Sequence, residues 1–204
     1  MSRAGVGTLA ALSAFAATRP TVECCELCAV ALAWEHEHLF DPTTRELRCS
    51  CGVCGRLLGG GTATRWMLVR HRVDRLVEFQ LGDAEWDVLG LPIDLAFFVG
   101  SGATGPPTAL YPSPYGAIAS TLPLPAWASI VAANPVLSRL EPDVEALLVN
   151  RTGARREYYL VSIDECYRLV GLIHRHWRGF GGGPDVWDQV AGFFDGLRAR
   201  SRDV

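Results

Sequence analysis

The chain has 204 residues, 49% of them hydrophobic and 20% charged, with a net charge of −3. That composition belongs to a globular chain able to bury a core, and the mild acidity argues against a nucleic-acid binder running on bulk charge. All 19 basic residues are arginine, and the missing lysine excludes a Walker-type phosphate lysine, a Schiff base and a lysine general base.

Residues 1–20 are alanine-rich. Leu9, Leu12, Phe15 and Ala16 fall at helical spacing, while Gly5 and Gly7 dilute the apolar stretch, so an N-terminal helix or arm is expected over 1–20 rather than a signal peptide. No apolar run reaches the roughly 18 residues of a membrane span. Six of the seven cysteines then crowd between positions 24 and 54, with Cys166 alone. Disulfide frameworks spread even numbers of cysteines across a fold, so this clustered set points to metal binding in a reducing compartment, and a cytoplasmic location is expected.

Within the cluster, Cys25-x-x-Cys28 precedes Cys51-x-x-Cys54, with 22 residues between the pairs. Two such turns brought together by a hairpin make the thiolate cage that zinc prefers, in the manner of a zinc ribbon. Gly55 after the second pair is expected to help backbone amides turn toward sulfur. A module spanning 21–58 has too little core to fold alone and would lean on its metal. Ala31 to Phe40 reads as a strand, Asp41-Pro42-Thr43-Thr44 as a turn, and Leu47 to Cys51 as the returning strand. Alternation places Trp34, His36, His38 and Phe40 on one face. Cys24, Cys49, His36 and His38 are therefore alternate ligands, and iron or an iron–sulfur cluster is the alternative to zinc.

After the run Gly59-Gly60-Gly61, an α+β domain is expected over 63–204. Strands are read at 66–72, 94–99, 146–149 and 157–161, with an irregular loop and edge strand over 106–125 and a short helix over 125–133. Gly100-Ser-Gly-Ala-Thr-Gly105 imitates a dinucleotide fingerprint. Pro106 and Pro107 follow it where a helix N-terminus would be needed, so a turn without nucleotide is expected. Arg151, Arg155 and Arg156 read as a solvated turn. Ser162 and Glu165 have capping-box spacing, ahead of a helix with Ile163, Cys166, Tyr167, Val170, Ile173 and Trp177 on its core face. His174 and His176, two apart on that helix, cannot pair on one metal. A last helix begins at Pro184 and carries Trp187, Val190, Phe194 and Leu197 inward.

Several stretches resemble an uncharacterised domain family encoded beside high-affinity nickel–iron hydrogenases of the actinobacterial type. They are Cys25-Glu-Leu-Cys28, His36 to His38, Cys49-Ser-Cys51-Gly-Val-Cys54, Tyr111-Pro-Ser-Pro, Asn134-Pro-Val, the run from Glu141 to Val149, the run from Ile163 to Gly171, and Trp177-Arg-Gly. The resemblance implies an accessory role in hydrogenase assembly, maturation or electron transfer, with a hydrogenase subunit or maturation factor as protein partner. It implies no activity and no ligand set. The resulting expectation is a non-enzymatic accessory protein with a structural tetrathiolate site. A small iron-bearing electron carrier is the alternative, and metal handover through Cys24 and Cys49 a third idea.

Overall fold

The computed structural model describes residues 22–60, 64–102, 105–179 and 181–204. The helix or arm expected over 1–20 lies outside them. The first elements are β1 (Glu37–Asp41), β2 (Glu46–Ser50), a short helix α1 (Gly52–Leu58) and β3 (Met67–Val69), which make a three-stranded antiparallel sheet in the order β2-β1-β3. The β1–β2 turn closes on Asp41, whose carboxylate accepts from the Thr43 N–H at 2.9 Å. The strand expected from Ala31 begins only at Glu37, because residues 25–31 fold back on themselves.

A seven-stranded sheet follows, ordered β10-β4-β9-β8-β5-β6-β7. Its strands are β4 (Val73–Arg75), β5 (Leu95–Ser101), β6 (Gly105–Ser113), β7 (Gly116–Ser120), β8 (Glu145–Asn150), β9 (Glu157–Ser162) and β10 (Arg202–Asp203). All pairings are antiparallel except β10 with β4. β8 and β9 are buried along their whole length, since helices cover both faces of the sheet. One face takes α2 (Asp83–Val88), α3 (Leu124–Ala133) and the 3-10 turn Pro135–Arg139 against Ala96, Phe98, Leu147, Val149 and Leu160. The other takes α4 (Ile163–His176) and α5 (Pro184–Arg200) against Leu95, Phe97, Val99, Leu148, Tyr159 and Val161. The period-two division of β5 between two cores explains why its sequence is continuously apolar. The chain is thus a mixed α+β fold.

The small sheet is not set apart from the large one. β3 lies beyond the glycine run at 59–61 yet pairs with β1, and Phe40 and Val69 belong to the core under α4 and α5. The boundary expected between 58 and 63 therefore falls inside a sheet.

Other local expectations also change. The stretch 106–125, read as irregular loop and edge strand, holds β6, an interior strand with a register shift where Pro106 and Pro107 enter, and β7 at the sheet edge. Gly100 lies on β5 and Gly105 opens β6, Gly102 between them having φ 52°, so an antiparallel strand stands where the fingerprint needs a helix. The Ser162 side chain makes no capping bond, and Glu165 turns instead to Arg168 and Arg200. Val186 takes the buried place expected for Trp187, which is exposed. Arg151 is buried rather than solvated, donating to the Leu81 carbonyl and the Tyr158 hydroxyl and pairing with Asp83.

Candidate metal centre

The first cysteine turn is built by backbone bonds. The Cys25 N–H donates to the Val30 carbonyl and the Ala29 N–H to the Cys25 carbonyl, both at 2.8 Å. Ala29 holds φ 61°, a left-handed conformation that bends the chain back under its own sulfurs. The second turn is the start of α1. Cys51 is its N-cap, its sulfur accepting from the Cys54 N–H at 3.5 Å. Gly55 has no left-handed φ, contrary to the reason expected for it. A Cβ there would collide with Glu37 and crowd Ser50 Oγ and Leu68 Cδ1, so the glycine permits close approach of α1 to the sheet.

The two turns are tied to each other through Glu26. Its N–H donates to the Cys49 carbonyl at 3.0 Å, and its carboxylate accepts from the Cys49 N–H at 2.8 Å. This clamp brings Cys25, Cys28, Cys51 and Cys54 together, with all four sulfurs within 4.8 Å of one another. Cys28 Sγ and Cys51 Sγ are 3.8 Å apart. A tetrahedron with metal–sulfur bonds of about 2.3 Å has edges of about 3.8 Å, so this pair already stands at the spacing of a loaded site. The four thiols are unbridged.

The electrostatics favour a cation at the centre. Desolvation pushes the Cys25 thiol up, but N–H groups of Cys51, Leu27 and Cys28 outweigh it and bring the pKa down to about 6. The Cys54 N–H lowers Cys51 in the same way, against desolvation. Cys54 donates to Cys51 and Cys28 and is pushed up to about 12. The Val30 N–H lowers Cys28, but the Cys25 sulfur, desolvation and the Cys51 sulfur together raise it. Adjacent sulfurs thus share protons unless a cation neutralises them, and a metal binding here displaces those protons. The quartet can hold a metal ion: closed and all-thiolate, it fits zinc, or iron in the same geometry.

The alternates separate from this cage. Cys24 is exposed and joins no cluster among the described residues. His36, His38 and Cys49 form a group of their own, with ligand atoms within 4.8 Å of one another. Burial foremost, then the charges of Glu23, Glu26 and Cys25, raises the Cys49 thiol. Sequence spacing gave no hint of Asp164, which reaches His38 from the start of α4; its capping-box position concealed it. Cys166 is fully buried and its thiol is raised well above normal by that burial, so it acts as core.

Comparison with known proteins matches residues 24–201 to the family of unknown function DUF5947. The chain belongs to this family. No curated protein and no solved structure matches it. The DUF5947 match opens at Cys24 and ends past α5, so it takes in the cysteine turns, the small sheet and every strand of the large one except β10. Among the described residues, no helix is long and apolar enough to cross a membrane.

Proposed function

We propose that this chain is a non-enzymatic accessory protein whose tetrathiolate ion, zinc in the first instance, staples the small sheet and shapes a surface for a protein partner. The observation that carries this reading is the four-sulfur cage, with Cys28 and Cys51 at 3.8 Å. Four protein ligands leave no coordination position for substrate, which suits a structural ion better than a catalytic one. Nickel–iron hydrogenase assembly or maturation is the process proposed, on the strength of the motif resemblance. The cytoplasm is the compartment proposed, because free thiolate ligands need reducing conditions.

X-ray absorption on protein purified without oxygen tests the site. Zinc in an all-sulfur shell near 2.3 Å, in a colourless protein, supports the structural reading. Retention of the chain by an immobilised hydrogenase subunit or maturation factor tests the process. A second reading has iron in the cage moving electrons, and it is favoured by the exposure of Cys28, which brings one ligand to solvent. Visible thiolate-to-iron absorption that bleaches on reduction decides for it.

A further inference from the structure

We infer that His36, His38 and Cys49 form a second metal site, separate from the four-cysteine cage, for a borderline d-block cation of the zinc or cobalt(II) type. His38 and Cys49 are directly opposite each other on β1 and β2. His36 precedes β1 by one residue and returns to the same side, its ring centroid 4.7 Å from that of His38. The three ligand atoms lie within 4.8 Å of one another. A tetrahedral cage of nitrogen and sulfur has edges of roughly 3.3–3.8 Å, so small rotations of the side-chain tips close it.

The hydrogen bonds point the same way. His36 Nδ1 stands 3.0 Å from the Ala33 carbonyl oxygen, and His38 Nδ1 stands 3.2 Å from Asp164 Oδ2. Such oxygens accept, so each Nδ1 carries the proton and each Nε2 presents its lone pair. Histidine ligands are commonly oriented by a carbonyl or carboxylate on the far nitrogen in this way. His36 supplies the independent observation: its side chain is only 8% exposed, yet Nε2 is buried without a hydrogen-bond partner. An orphaned imidazole lone pair costs free energy in a folded chain, and a cation beside it removes that cost.

Two imidazoles and one thiolate make a borderline-soft set that takes zinc or cobalt(II) and disfavours magnesium or calcium. Three protein ligands leave a fourth position open to water or an exchangeable ligand, unlike the closed cage. The chain would then hold two ions of different character, one sealed and one accessible.

The test is a titration of reduced, chelator-stripped full-length protein with zinc, read as equivalents bound, and with cobalt(II), read by absorption. Wild type should bind two equivalents. Cys49→Ser, and separately the double variant His36→Gln with His38→Asn, should each bind one and keep the all-thiolate cobalt spectrum of the cage. Asp164→Asn should still reach two equivalents but weaken one by about 10- to 100-fold. A single wild-type equivalent that survives Cys49→Ser overturns the inference, as do two undiminished equivalents in Cys49→Ser. Should the double variant fail to fold, Cys49→Ser alone decides. If wild type binds one equivalent that Cys49→Ser abolishes and Cys51→Ser keeps, the four-cysteine reading fails and the second site stands.

Discussion

His38, in the middle strand of the small sheet, stands 3.2 Å from Asp164 in the first turn of α4, 126 residues later in the chain. Burial raises the Asp164 carboxyl, but the His38 ring, together with Ser162 and His71, more than offsets it and the pKa falls. Three residues further along α4, Tyr167 meets Phe40 with ring centroids 6.4 Å apart. The small sheet therefore rests on the same helix that covers the large one. Two contacts, His38 with Asp164 and Phe40 with Tyr167, tie β1 to α4.

Replacing Cys51 with serine should release the ion from the cage and loosen the segments it clamps. Hydrogen exchange should show lost protection over residues 24–31 and 46–58, with β1 and β3 partly affected through their pairing. β8 and β9 should stay protected, being buried along their whole length between two cores. Protection left unchanged over 24–31 would show that those turns hold without metal.

Gly59 closes α1 against β3, and a Cβ placed there would lie 2.6 Å from Leu68 Cβ and 2.8 Å from Leu68 N. Backbone cannot yield cheaply, so Gly59→Ala should destabilise the metal-loaded protein by about 1–3 kcal/mol. The nearest atom to a Cβ at Gly60 is 3.4 Å away, so Gly60→Ala serves as the control, with a change near zero. Urea unfolding followed by fluorescence compares the two, and equal midpoints would contradict the packing described.

What the sequence made legible divides along a physical line. The cysteine pairs were readable because metal geometry is encoded in local spacing, and β8, β9, α4 and α5 because their apolar runs, and the proline that opens α5, are local signals. The partition of ligand candidates was not, since it depends on cross-strand register: His38 opposite Cys49 is decided by where the β1–β2 turn closes. Long-range pairs such as His38 with Asp164 leave no periodic trace. Trp34, expected on the histidine face, is 88% exposed because the strand starts only at Glu37. The interior place of β6 was not legible because three prolines lie within it, which read as loop and edge strand, and two of them occupy a register shift that a sequence cannot announce.

Glu165 is fully buried and receives both Arg200 nitrogens at 2.7 Å and Arg168 at 3.1 Å, locking the start of α4 to the end of α5. Arg200 is raised in return, chiefly by its bond to this carboxylate, against desolvation. Glu165→Ala deletes the acceptor while leaving two arginines able to reach water. The expected loss is about 2–3 kcal/mol, that of a charged hydrogen-bond network, without change in metal content. Thermal unfolding with metal analysis checks both halves, and a Tm matching wild type would show the network to be neutral.

Asp41 ends β1 with its carboxyl held below the usual range. Burial would raise it, but N–H groups of Thr43 and Thr44 and the Arg65 charge, with Nε 3.0 Å from Oδ2, prevail. A carboxyl lowered on folding binds fewer protons than in the unfolded chain, whose value is about 3.9. Its contribution to stability is therefore complete above that unfolded value and is lost as pH falls through the folded one. Asp41→Asn keeps an oxygen for the threonine amides but abolishes the charge. The variant should be less stable than wild type at neutral pH, and the difference should shrink as the solution is acidified below about pH 4, where the Asp41 carboxyl of the unfolded chain takes up its proton before that of the folded one. Urea midpoints measured from pH 7 down to pH 3 give the comparison. A gap that widens on acidification would mean that the turn is held by something other than the Asp41 charge.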